Sequence, residues 1–112
     1  MDEERARDLL GAERAEVERL LDDTRAAQEL DQTVERETGD SADAAQALTD
    51  EELDDAFAAG LRERLAALDR AEARLDAGTF GRSIRSGAPI PDERLEADPT
   101  AELTVEEAEA EQ

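Results

Sequence analysis

The chain contains no Cys, no His, no Trp, no Tyr and no Lys, and only two Phe among its 112 residues. Without Cys there is neither a disulfide nor a thiolate, so thiolate nucleophiles and thiolate metal sites are excluded. Without His the usual near-neutral general base is missing, and Ser-His-Asp and Cys-His arrangements cannot form. No apolar run approaches the roughly 20 residues that a membrane-spanning helix needs. The opening residues, Met1-Asp2-Glu3-Glu4, supply neither a basic nor an apolar leader. No signal peptide is therefore expected, and the expected compartment is the cytoplasm. The composition argues against an enzyme.

What is present is acid. There are 33 Asp and Glu against 13 basic residues, all of them Arg, for a formal net charge of −20. Such a chain repels free nucleic acid and anionic lipid, so neither a direct nucleic-acid contact nor a membrane partner is expected. The hydrophobic share of 38% consists largely of Ala. The small number of Leu, Ile, Val and Phe, combined with high charge, borders on the composition of disordered chains. The acid is also clustered. Residues 31–55 and 92–112 carry most of the net negative charge, and the remainder mixes Glu and Arg in a way that supports exposed helix faces through i,i+4 pairs.

Two stretches read as helix. The first runs from about Asp2 to about Thr38 and carries Leu9, Leu10, Val17, Leu20, Leu21, Leu30 and Val34 near a 3.6-residue period. The second ends at Ala77-Gly78, with Leu48, Leu53, Phe57, Leu61, Leu65, Leu68 and Leu75 spaced mostly by three or four. Gly39-Asp40-Ser41 offers a C-terminal Gly followed by N-cap residues, and Thr49-Asp50-Glu51-Glu52 offers a second, later helix start. A reversal near residue 39 sets Leu10 against Leu68, Val17 against Leu61, Leu21 against Phe57 and Leu30 against Leu48. This favours one long antiparallel hairpin with its tip near residues 38–45 and arms of about 54 Å at ~1.5 Å per residue. The competing reading is a long acidic loop over residues 31–49.

After Gly78 the character changes. GTFGRSIRSGAPIP is rich in Gly and Pro and reads as loop or short strand. Pro91-Asp92-Glu93-Arg94-Leu95 opens a short helix that Pro99 ends. Thr104-Val105-Glu106-Glu107 fits a capping box at the start of a last acidic helix or a frayed tail. The expected organisation is mainly α: a coiled-coil hairpin over residues 1–77 and a small module with an acidic tail over residues 78–112.

This order of helical hairpin, LDAGTFG, S-x-x-S-G, PIPDERLEADP and L-T-V-E-E resembles the DksA/TraR family, bacterial regulators with a C4 zinc finger. The family's finger has the form C-x2-C-x17-C-x2-C. Here the same spacing carries Ser83, Ser86, Thr104 and Glu107. No thiolate remains, so zinc is expected to be absent and no other cofactor is implied. Two arrangements are open: the hydroxyls of Ser83, Ser86 and Thr104 gather around Glu107 as a metal-free knuckle, or the four side chains point to solvent. The knuckle reading places Phe80, Ile84, Ile90, Leu95, Leu103 and Val105 in a small core, with Arg82 or Arg85 pairing with the acidic tail. The resemblance also covers the family's Asp-x-x-Asp-x-Ala tip, matched by Asp40, Asp43 and Ala45. N-cap chemistry explains the same residues locally, and the two readings are compatible.

The resemblance implies a regulator that binds RNA polymerase directly and inserts the hairpin tip into the secondary channel. The alternative is a coiled-coil interaction or assembly protein that has lost this role. A monomer or weak homodimer is expected; an acidic nucleic-acid mimic rests on charge alone.

Overall fold

Apolar residues three and four apart, with few breakers between them, give two long helices. In the computed structural model α1 spans Glu3–Thr38 and α2 spans Ser41–Ala77, followed by α3, Asp92–Ala97, and α4, Val105–Ala110. The backbone is described for every residue except Gly39, Asp40 and Gln112; the side chains of Gln28 and residues 30–51 are also outside the description. The helical hairpin expected from the sequence is thus present. Residues 31–38 and 41–49 are helical, so the long acidic loop does not form, and Thr49 sits within α2. The chain divides into two compact units, one of Met1–Arg14 with Ala66–Gln112 and one of Ala15–Leu65.

In the first unit the Asp2 carboxylate accepts from the Arg5 amide at 2.7 Å and satisfies one of the free donors at the start of α1. Ala6 and Leu10 of α1 and Leu68, Ala71 and Leu75 of α2 are buried. Leu10 and Leu68, set opposite each other by the sequence arithmetic, are both among the fully enclosed side chains. Ion pairs flank this seam. Arg7 reaches Asp76 at 3.0 Å, and Arg14 reaches Glu72 at 3.1 Å and also Asp69. Both Arg residues meet partners further along α2 than a plain reversal at residue 39 sets opposite them. Long helical side chains lean toward their own N-terminus, which in an antiparallel pair carries them in that direction.

In the second unit Val17, Ala58 and Leu61 are buried. The expected pairing of Leu21 with Phe57 is not enclosed: Leu21 is half-buried and Phe57 is 52% exposed. Leu30 and Leu48 lie outside the described side chains.

α2 stops in a Schellman motif. Gly78 has φ +79°, its amide donates to the Leu75 carbonyl at 3.2 Å, and the Thr79 amide donates to the Arg74 carbonyl at 2.9 Å. Beyond it the chain forms a tight turn in place of a strand pair, with a single antiparallel bridge between Arg82 and Pro89. Ile90, Leu95 and Ala101 make a small core, against which Met1 and Phe80 pack. Three residues expected in that core are not in it: Ile84 is 60% and Val105 46% exposed, and Leu103 is half-buried outside the cluster. Ala101, which the sequence did not single out, joins the core, and the neighbouring Pro99 and Thr100 are also buried.

Candidate functional site

The turn after Arg82 is built on one hydroxyl. Ser83 is buried, and its Oγ accepts from the amides of Arg85 at 3.1 Å and Ser86 at 3.2 Å. The same hydroxyl donates to Glu107 Oε2 at 2.8 Å. One donor and two acceptor sites are all that a hydroxyl has, so Ser83 is fully used. Ser86 Oγ repeats the pattern more weakly by accepting from the Ala88 amide at 3.2 Å. Gly87 closes the turn at φ +76°, a conformation a side chain would strain, and its amide donates to the Ser83 carbonyl at 2.9 Å.

The other half of the module presents its acceptor through a helix cap. Thr104 is the N-cap of α4, and a full capping box forms, as the Thr-Val-Glu-Glu pattern predicts. Glu107 donates its amide to Thr104 Oγ1 at 3.3 Å, and its Oε1 accepts from the Thr104 amide at 3.2 Å. One carboxylate therefore joins both halves, one oxygen serving the cap and the other serving Ser83. Burial pushes the Glu107 carboxyl upward as the largest single influence. The hydrogen bonds from Ser83, Thr104 and Ser86 together outweigh it and hold the group below the ordinary carboxylate range. A backbone bond from the Ile84 amide to the Glu102 carbonyl, at 2.9 Å, adds a second tie.

Ser83 and Thr104, 24 and 3 positions from Glu107 in the chain, thus meet at its single carboxylate, while the Ser86 hydroxyl serves the Ala88 amide in the adjoining turn. Three hydroxyls and one carboxylate are not the thiolate and imidazole set of structural zinc, and the Ser83 hydroxyl is already committed to three hydrogen bonds. The donor set does not fit that metal.

Other contacts were not visible in the sequence. Arg5 of α1 grips Glu96 of α3 through two hydrogen bonds of 3.0 and 2.7 Å. Arg70 of α2 reaches Glu102 at 3.0 Å, with Arg74 at 3.8 Å from the same side chain. Arg94 donates to the Leu103 carbonyl at 3.1 Å. Of the two Arg residues expected to face the acidic tail, Arg85 pairs with Glu111, while Arg82 donates to the Gly87 carbonyl at 3.3 Å. Arg and Glu are so frequent here that no spacing rule singles out these pairs.

The second candidate site falls largely outside the described residues. Asp40 lies beyond them, and Asp43 and Ala45 belong to the first turns of α2 with undescribed side chains.

Antiparallel α1 and α2 followed by a small knuckle define a DksA/TraR-like fold. The solved structure of transcription factor DksA2 from Pseudomonas aeruginosa is similar to this chain, with 28% sequence identity and a TM-score of 0.84. The match covers 97% of this chain and 81% of that one. No family model and no curated protein matches the sequence.

Proposed function

We propose that this chain is a transcription regulator that binds RNA polymerase directly and places the α1–α2 connection in the enzyme's secondary channel. The observation that carries this reading is the structural likeness to a transcription factor over 97% of the chain. The Asp-x-x-Asp-x-Ala residues support it, since Asp40, Asp43 and Ala45 fall where α1 has ended and α2 begins. In this reading the protein is not an enzyme. The tip carboxylates would serve to meet a cation or a basic wall. The formal charge of −20 argues against a DNA contact of its own. The knuckle is proposed to work without zinc, with Glu107 and the three hydroxyls holding the two halves together.

In-vitro transcription with wild type and with Asp40→Asn/Asp43→Asn tests this. Wild type is expected to bind polymerase and alter initiation, and the double variant to lose the effect on initiation. A chain that neither binds nor alters polymerase contradicts the reading. Binding and regulation that are indifferent to the tip contradict the channel mechanism.

A further inference from the structure

Within the unit of Ala15–Leu65, α2 carries two large apolar side chains that its own fold leaves uncovered. Leu53 is 65% exposed and Phe57 52%. They are four residues apart, and Gly60 follows three residues later, so the three share one side of the helix. The inward side of the same stretch is supplied by Ala58 and Leu61, both buried. Gly60 is unusual because glycine in a helix interior weakens the helix relative to alanine. Internal packing does not require it, since a Cβ at Gly60 would meet nothing within 4 Å. Gly11 of α1 is equally open, but α1 has no exposed large apolar side chain among its described residues. An apolar side chain pair beside a bare stretch of helix backbone is suited to receiving another surface at close range.

Charge selects the occupant. Glu52 and Asp54 flank Leu53, Asp54 also lies three residues before Phe57, and the whole molecule carries −20. A second copy would bring the same carboxylates to the same contact and be repelled. A surface with apolar side chains inside a rim of Arg or Lys is complementary to it.

We propose that Leu53, Phe57 and Gly60 form a docking stripe for an apolar, Arg/Lys-rimmed surface of RNA polymerase. The stripe is a contact separate from the tip, and it rests on the polymerase reading above. The tip would then act in the channel while the stripe supplies affinity from the side of α2.

The test measures the affinity of purified bacterial RNA polymerase for wild type, Phe57→Ser, Leu53→Ser, Gly60→Gln and Asp40→Asn/Asp43→Asn at low and at raised salt. Thermal melts and light scattering of each variant accompany the titrations. Gly60→Gln is the decisive variant, because Gln favours helix and the position is open, so its melt should not fall. The stripe variants are expected to weaken binding by about tenfold or more, wild-type affinity to fall with salt, and the tip variant to retain most of its affinity. Wild-type binding that all three stripe substitutions leave unchanged overturns the stripe while sparing the polymerase reading. Absence of wild-type binding overturns both. A concentration-dependent dimer that Phe57→Ser dissolves puts a second copy on the stripe and also overturns the proposal.

Discussion

Ser83 shows how one oxygen can organise a turn. It accepts two backbone amides and gives its proton to Glu107, so three groups depend on it. Replacing Ser83 with Ala strands the Arg85 and Ser86 amides and removes a donor from the carboxylate. The expected cost is about 1–3 kcal/mol, read as faster hydrogen exchange at Arg85 and Ser86 with the long helices unaffected. Acid should loosen the same turn in the wild type. Glu107 titrates lower folded than unfolded, so its contribution is complete above the ordinary carboxylate range and is lost as pH falls through its lowered folded value. Protection factors at these two amides, corrected for the intrinsic pH dependence of exchange, should therefore fall at acid pH in wild type and change less in Ser83→Ala. The four positions were legible only through the resemblance to the DksA/TraR finger, whose ligand spacing they keep. Their connectivity was not, because nothing in the sequence says that Glu107 would use one oxygen for the cap and the other for Ser83.

The long helices were the most legible elements. Gly39 and Gly78 mark the two ends, and the apolar period between them fixes which faces meet. Legibility failed where side-chain size and hydropathy stop being informative. Ile84 sits between two polar turn residues and is exposed beside the buried Ser83, whereas Ala101 is small enough to join the core without standing out. Phe57 was assigned to the hairpin seam on period alone, but Ala58 and Leu61 already supply the inward side. The contrast gives a direct check. Leu68→Ala removes a fully buried side chain and is expected to cost about 2–5 kcal/mol. Phe57→Ala should cost less than about 1 kcal/mol, as surface substitutions usually do. Urea unfolding followed by far-ultraviolet circular dichroism reads both.

For the molecule as a whole, the charge of −20 is the dominant physical fact. It bears on the proposed partner, since a basic channel or a basic-rimmed surface is complementary to it. Within the first unit the acid is tied down locally by Arg5 on Glu96, Arg7 on Asp76, Arg14 on Glu72 and Arg70 on Glu102. These are mostly exposed pairs, each worth little alone, so the buried Leu and Ala seam carries more of the stability. Among the described residues no helix is long and apolar enough to cross a membrane.

The central claim, that the α1–α2 connection enters polymerase, has one direct measurement. The chain lacks Cys, so Ser41→Cys provides a single thiol beside the tip and Glu93→Cys provides one at the start of α3. Each is loaded with a short-range photo-crosslinker and mixed with purified RNA polymerase. The account predicts that the tip probe crosslinks to the large catalytic subunits at residues lining the secondary channel, and that Asp40→Asn/Asp43→Asn reduces the yield. No crosslink at saturating chain, or crosslinks from Ser41→Cys confined to the outer surface of polymerase, would contradict it.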